Sequence, residues 1–151
     1  MLSQTSEYAL RAMVSLSGLE GGISVNSATI AARTKVPPGY LSKILRDLAV
    51  AELVLSQRGP NGGFSLARSP ERISILDVVN AVDPIARITK CPLGNPAHLD
   101  LCPLHRRVDD AIAMIEREFK RTTLAEMRAP TVKSSGQCRT LVAPTVRGRK
   151  P

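Results

Sequence analysis

Apolar residues return at helical spacing in several stretches of this chain, separated by glycine, proline and small polar residues. Leu10, Met13, Val14 and Leu16 form a stripe that predicts a first helix, capped by Thr5 or Ser6 and ending near Gly18 to Gly22. Ala28, Ile30, Ala31 and Ala32 predict a short second helix between the polar cluster at 24–27 and the turn Pro37-Pro38-Gly39. Leu41, Ile44, Leu45 and Leu48 follow at i, i+3, i+4 and i+7, so a third helix should bury one face. Pro38 suits its first turn, where a backbone N–H has no partner to lose. Tyr40, Ser42, Lys43, Arg46 and Asp47 fall off the buried stripe.

The period then changes. LVLSQ at 53–57 and FSLAR at 64–68 flank RGPNGG, whose glycine, proline and asparagine supply the backbone freedom of a hairpin loop. ISILDVVNAV at 73–82 predicts another helix, with Ser74 near its start and Asp83-Pro84 ending it. The last strong pattern is VDDAIAMIEREFKR at 108–121, which puts Val108, Ala111, Ile112, Ile115 and Phe119 on one face and charges of both signs on the other. Residues 129–151, with three prolines and no acid, read as a basic, disordered tail.

Composition narrows the fold. With 43% hydrophobic residues but only 3% aromatic, the core must be built from Leu, Ile, Val and Ala, which favours closely packed helices. The expectation is a mainly α protein with a small β-hairpin, large enough at 151 residues to need no disulfide support. No apolar run approaches the roughly 20 residues of a membrane span, and the first residues lack a secretion signal, so a cytoplasmic location without membrane contact is expected. The net charge of +8 is less telling than its distribution, because five of the 21 Lys and Arg lie in 129–151 and the remainder is 16 basic against 13 acidic. Between Arg33 and Arg72, however, seven basic residues stand against Asp47, Glu52 and Glu71, and that segment is the candidate for phosphate contact.

Two short helices joined by a tight turn, then a glycine-rich hairpin, follow the order of a winged helix-turn-helix. Ser27 at the start of the second helix and Tyr40, Ser42, Lys43 and Arg46 on the third are the residues expected to meet double-stranded DNA. Arg58, with Gly59, Pro60, Asn61 and Gly62 around it, would form a wing tip able to enter a narrow minor groove.

TSEYALRAM, VPPGYLSKIL and above all RGPNGGFSLAR resemble the Rrf-two family of bacterial transcriptional regulators, over about residues 1 to 128. The resemblance implies a homodimeric repressor or activator that binds a palindromic operator and senses redox, nitric oxide or iron-sulfur status. It implies a winged-helix domain over 1–83, a ligand-carrying loop over 84–105 and a dimerisation helix over 106–128. The amphipathic pattern at 108–119 agrees, since a helix of roughly 27 Å is longer than so small a domain readily covers.

Many relatives hold a [2Fe-2S] or [4Fe-4S] cluster on three loop cysteines, often with a histidine three residues beyond the last. Here KCPLGNPAHLDLCPLH at 90–105 keeps Cys91 and the Cys102-x-x-His105 ending but lacks the middle cysteine. His98 lies in the gap, and resemblance places Glu7 of the partner subunit as a further ligand. Read from the residues themselves, Cys102 as N-cap would put Pro103 at the first helical position and His105 at the third, with sulfur and imidazole at the positive end of a helix. That setting favours a thiolate. Two thiolates with nitrogen ligands fit a [2Fe-2S] centre of mixed ligation, a Cys₂His₂ zinc site on Cys91, His98, Cys102 and His105, or a metal-free Cys91–Cys102 thiol switch. Cys138 falls in the tail. A zinc-dependent hydrolase would need a general base and a substrate cleft that the loop does not supply, so the chain is not expected to be an enzyme.

Overall fold

The computed structural model describes residues 2–19, 23–94 and 100–128; His98, Cys138 and the basic tail lie outside them. The chain forms α1 (Gln4–Ser17), α2 (Ser27–Thr34), α3 (Pro38–Val50), β1 (Val54–Gln57), β2 (Gly63–Leu66), a single 3₁₀ turn (Pro70–Arg72), α4 (Ile75–Val82), α5 (Pro103–Arg121) and α6 (Leu124–Arg128). It is the expected mainly α fold with one antiparallel hairpin.

The cap of α1 is Ser3, whose hydroxyl accepts from the Ser6 N–H at 3.2 Å, and not Thr5 or Ser6. Only Ser3 has the extended backbone a cap requires, while Ser6 sits three residues inside and supplies the donor that is capped. The buried stripe is also rotated from the expected one. It is Ala9, Ala12, Met13 and Leu16, and Leu10 and Val14 pack at its margin. The alanines let α2, α3 and α4 approach closely, so the small residues, rather than the largest apolar ones, face the centre.

Helix α3 behaves as its pattern predicts, burying Leu41, Ile44, Leu45 and Leu48 with Pro38 in the first turn. Asn26 caps α2 through the Thr29 N–H, and Lys35 ends it in the left-handed conformation before the prolines turn the chain. Strands β1 and β2 pair from Val54 with Leu66 to Gln57 with Gly63, and Val25 adds a bridge to Phe64 through hydrogen bonds of 2.9 and 2.8 Å. Gly63 is required there, since a Cβ would lie 2.5 Å from the Val25 carbonyl. Ser74 and Asp77 close α4 with a reciprocal capping box.

The region expected to be one helix over 106–128 is divided. Helix α5 starts earlier, at Pro103, and ends at Arg121; the chain then turns back, with Leu124 N–H donating to the Ile73 carbonyl and Ile75 N–H to the Thr122 carbonyl, both at 2.9 Å. Leu124 is fully buried, so α6 belongs to the core and fastens the far end of α5 to the helix-turn-helix unit. None of the 19 residues of α5 is itself buried. Ile112 and Phe119 are half-covered by their own protomer, whereas Leu104, Val108, Ala111 and Ile115 continue as an exposed apolar stripe. Leu2, Ile85, Ile112, Met114, Ile115 and Phe119 line a groove of about 450 Å³ beside it.

Candidate functional site

The exposed side of the helix-turn-helix carries the residues singled out for DNA. Ser27, Tyr40, Ser42, Lys43, Arg46 and the tip residues Arg58, Gly59, Pro60 and Asn61 are all exposed, with Gly62 partly so. Tyr40 packs edge-on against Tyr8 of α1, with ring centroids 6.2 Å apart and planes at 71°. Ser42 donates its hydroxyl to the Pro38 carbonyl at 3.0 Å, which orients its oxygen while leaving acceptor capacity. The wing tip closes through the Gly62 N–H on the Gly59 carbonyl at 2.9 Å; a side chain at Gly62 would collide with the Gln57 carbonyl. Arg58 is thus presented from a short, sterically defined turn.

At the start of α5, Cys102 holds the N-cap position, without a side-chain capping bond, Pro103 takes the first helical position and His105 the third. The His105 Nδ1 lies 3.2 Å from the Cys102 sulfur and 3.6 Å from the Cys91 sulfur. All three donor atoms fall within 4.8 Å of one another, with each residue partly exposed. The Cys102 thiol is held below its ordinary range, first by the backbone amide of His105, opposed by desolvation and assisted by the Cys91 side chain. Two sulfur donors and one imidazole, with the first helical turn favouring negative charge, form a donor set suited to zinc or iron.

Glu7 is on the exposed side of α1, where it pairs with Arg11 one turn along and is not part of this group in the protomer. His98 lies outside the described residues. Sequence reasoning missed the ion-pair network that ties the segment preceding Cys91 to α5. Arg87 donates two bonds to Asp109 (2.7 and 2.5 Å) and one to Glu116 (3.2 Å), and the Ile88 N–H joins Asp109 at 2.9 Å. Arg87 is separated from Asp109 by more than twenty positions, so neither residue type nor local spacing marks the pair.

Comparison with known proteins reaches the same architecture. Residues 2–130 match the Rrf2 family model, described as an iron-dependent transcriptional regulator. The chain is similar to the HTH-type transcriptional regulator IscR of Sodalis glossinidius, with 32% identity over 127 residues, covering 83% of this chain and 77% of that protein. Among solved structures it is similar to T. potens IscR (TM-score 0.70, 27% identity, 84% of this chain and 85% of that one). It is also similar to CymR, the global cysteine regulator of B. subtilis (TM-score 0.67, 26% identity, 85% and 95%). The chain spans 59% of the length of curated Mycobacterium tuberculosis regulators that it matches at 41% identity over 95 residues. No helix among the described residues is long and apolar enough to cross a membrane. With a family match over 2–130 and a helix-turn-helix followed by a hairpin wing, the chain belongs to the Rrf2 family of winged-helix, DNA-binding transcriptional regulators.

Proposed function

We propose that this chain is a cytoplasmic, homodimeric repressor that binds a palindromic operator and responds to redox, nitric oxide or iron-sulfur status through a [2Fe-2S] cluster. Cys91, Cys102 and His105 would hold the cluster, with His98 or Glu7 of the partner subunit completing it. The observation that carries this reading is the meeting of two sulfurs and one imidazole nitrogen within 4.8 Å at the start of α5. That point lies between the DNA-reading unit and the exposed stripe Leu104, Val108, Ala111 and Ile115, which supports a dimer formed along α5. When bound, the cluster supplies one-electron chemistry and reactivity toward oxidants.

The chain's own residues convert the state of that site into operator affinity. Cys91 comes from the segment leaving α4, while Cys102 and His105 belong to α5, so holding all three together joins two elements. Releasing them removes one of the ties between the two elements and shifts the population of dimers whose recognition helices have the operator's spacing. Lys43 and Arg46 of α3 would serve phosphates and base edges in the major groove, Ser27 and Tyr40 the flanking backbone, and Arg58 the minor groove.

A second reading has one observation in its favour. Donors on a single tetrahedral zinc, at about 2.3 Å for sulfur and 2.0 Å for nitrogen, stand only about 3.5 to 4 Å from each other. The distance of 3.6 Å from the Cys91 sulfur to the His105 nitrogen is of that size, and the 3.2 Å from Cys102 is slightly shorter. Anaerobic purification separates the cases. Coloured protein whose visible absorption disappears in Cys91→Ala carries the cluster reading; colourless protein with stoichiometric zinc replaces it with the second; colourless, metal-free protein leaves a Cys91–Cys102 thiol switch.

A further inference from the structure

We infer that Arg87 is the positioning residue of the cysteine-histidine site: by clamping the segment after α4 onto Asp109 and Glu116, it holds Cys91 against the start of α5. The inference rests on the proposed role of that site and deepens it, because it concerns how the site is preorganised.

The clamp is built from four bonds. The guanidinium grips both Asp109 oxygens at 2.7 and 2.5 Å and reaches Glu116 at 3.2 Å, and the Ile88 N–H adds a bond of 2.9 Å to Asp109. A fork gripping a carboxylate fixes direction as well as distance, which a single point charge does not. Asp109 is mostly covered, with a side-chain exposure of 14%, so this pair is better shielded from solvent than the Glu7–Arg11 pair, at 55% and 36%. Upstream, the Ile85 N–H donates to the Asn80 side chain at 3.2 Å, so the same segment is fastened to α4 as well.

Position along the chain turns the clamp into a site device. Asp109 lies four residues after His105, one turn along the same face of α5, and Glu116 lies two turns further. Cys91 follows Arg87 by four residues, a tether of at most about 14 Å. The clamp therefore sets the register in which Cys91 meets Cys102 and His105. Without it, the nearest upstream fastening is that of Ile85 to α4, and on the α5 side Cys91 is confined chiefly by the ten residues between it and Cys102. Loop-closure entropy then lowers its effective concentration at Cys102, by about fourfold for this change in tether length.

The test reads that concentration without any metal. Full-length protein, stripped of metal and carrying Cys138→Ser so that one pair alone can form, is equilibrated with oxidised and reduced glutathione. Each Cys91–Cys102 disulfide formed converts one oxidised glutathione to two reduced, and the protons of the two thiols pass to them. The equilibrium constant gives the effective concentration of one thiol at the other. Arg87→Ala is expected to lower it about fourfold. Asp109→Ala should do the same, and the double variant should add little, since both remove one interaction. Circular dichroism should be unchanged, because the clamp lies outside the hydrophobic core. If both single variants match the parent, or if their effects simply add, Arg87 does not position Cys91. Metal or cluster content of the parent protein is measured separately, so loss of the cluster reading leaves this result standing, and failure of the clamp leaves the cluster reading intact.

Discussion

The sulfur of Cys102 stands 3.2 Å from the Nδ1 of His105, three residues along the first turn of α5. The thiol is also the one whose acidity the fold raises, first through the His105 backbone amide and then through the Cys91 side chain. The residue at the N-cap position of α5 therefore also carries the sulfur nearest the imidazole, so the start of the helix and the cysteine-histidine group share one residue.

The thiolate of Cys102 should therefore persist below the ordinary thiol range of about 8.5. In metal-free protein, iodoacetamide should label Cys102 several-fold faster than an ordinary exposed thiol at about pH 7, as read by mass spectrometry. Cys91→Ser should slow the labelling by removing a favourable neighbour. His105→Ala leaves the backbone amide in place and should slow it less. Equal labelling across these variants at all pH values would contradict the assignment.

Asp109 is held at a pKa of about 2, first by its hydrogen bonds from Arg87 and then by the Ile88 N–H. Because the folded value is depressed, the clamp's contribution to stability is present above the ordinary carboxylate range and is lost as pH falls through about 2. Carboxyl NMR titration should show Asp109 ionised through pH 3 in the parent and titrating near the ordinary value of about 3.9 in Arg87→Ala.

Lys43→Ala and Arg58→Ala should each weaken duplex binding and reduce the slope of log affinity against log salt by about 1 if each contacts a phosphate. Arg58 should add a preference for narrow, A·T-rich minor groove that Lys43 does not. Fluorescence anisotropy on duplexes of both kinds, over a salt series, measures both effects. Unchanged slopes would remove these residues from the interface.

Ile115 is 47% exposed on the uncovered stripe of α5. Ile115→Lys should leave the protomer folded and convert dimers to monomers in sedimentation velocity, with loss of operator binding at the same concentrations. By contrast Leu45→Ala, at a residue with no exposure, should cost about 2 to 5 kcal/mol in denaturant unfolding by opening a core cavity.

Much of the molecule is legible in its residues taken in order. The i, i+3, i+4, i+7 pattern at Leu41, Ile44, Leu45 and Leu48 specifies α3, Ser74 and Asp83-Pro84 bracket α4, and RGPNGG specifies the wing, because caps, turns and helical faces are local properties of the chain. The order of these elements is enough to expect a winged helix. Cys102, Pro103 and His105 are likewise readable as one helix start.

What lies beyond the sequence is set by contacts between distant segments. Which face of α1 is buried depends on how closely three other helices approach, and Ala9 and Ala12 allow what Leu10 and Val14 would obstruct. The return of Leu124 to Ile73 divides the last helical region, an exchange of backbone hydrogen bonds that no local pattern encodes. Arg87 meets Asp109 and Glu116 only because the chain leaving α4 runs alongside α5. The sequence by itself determined most of the elements, their winged-helix order and the cysteine and histidine types at 91, 102 and 105; tertiary structure alone decided that Cys91 is brought to Cys102 and His105, because that meeting depends on packing across the fold.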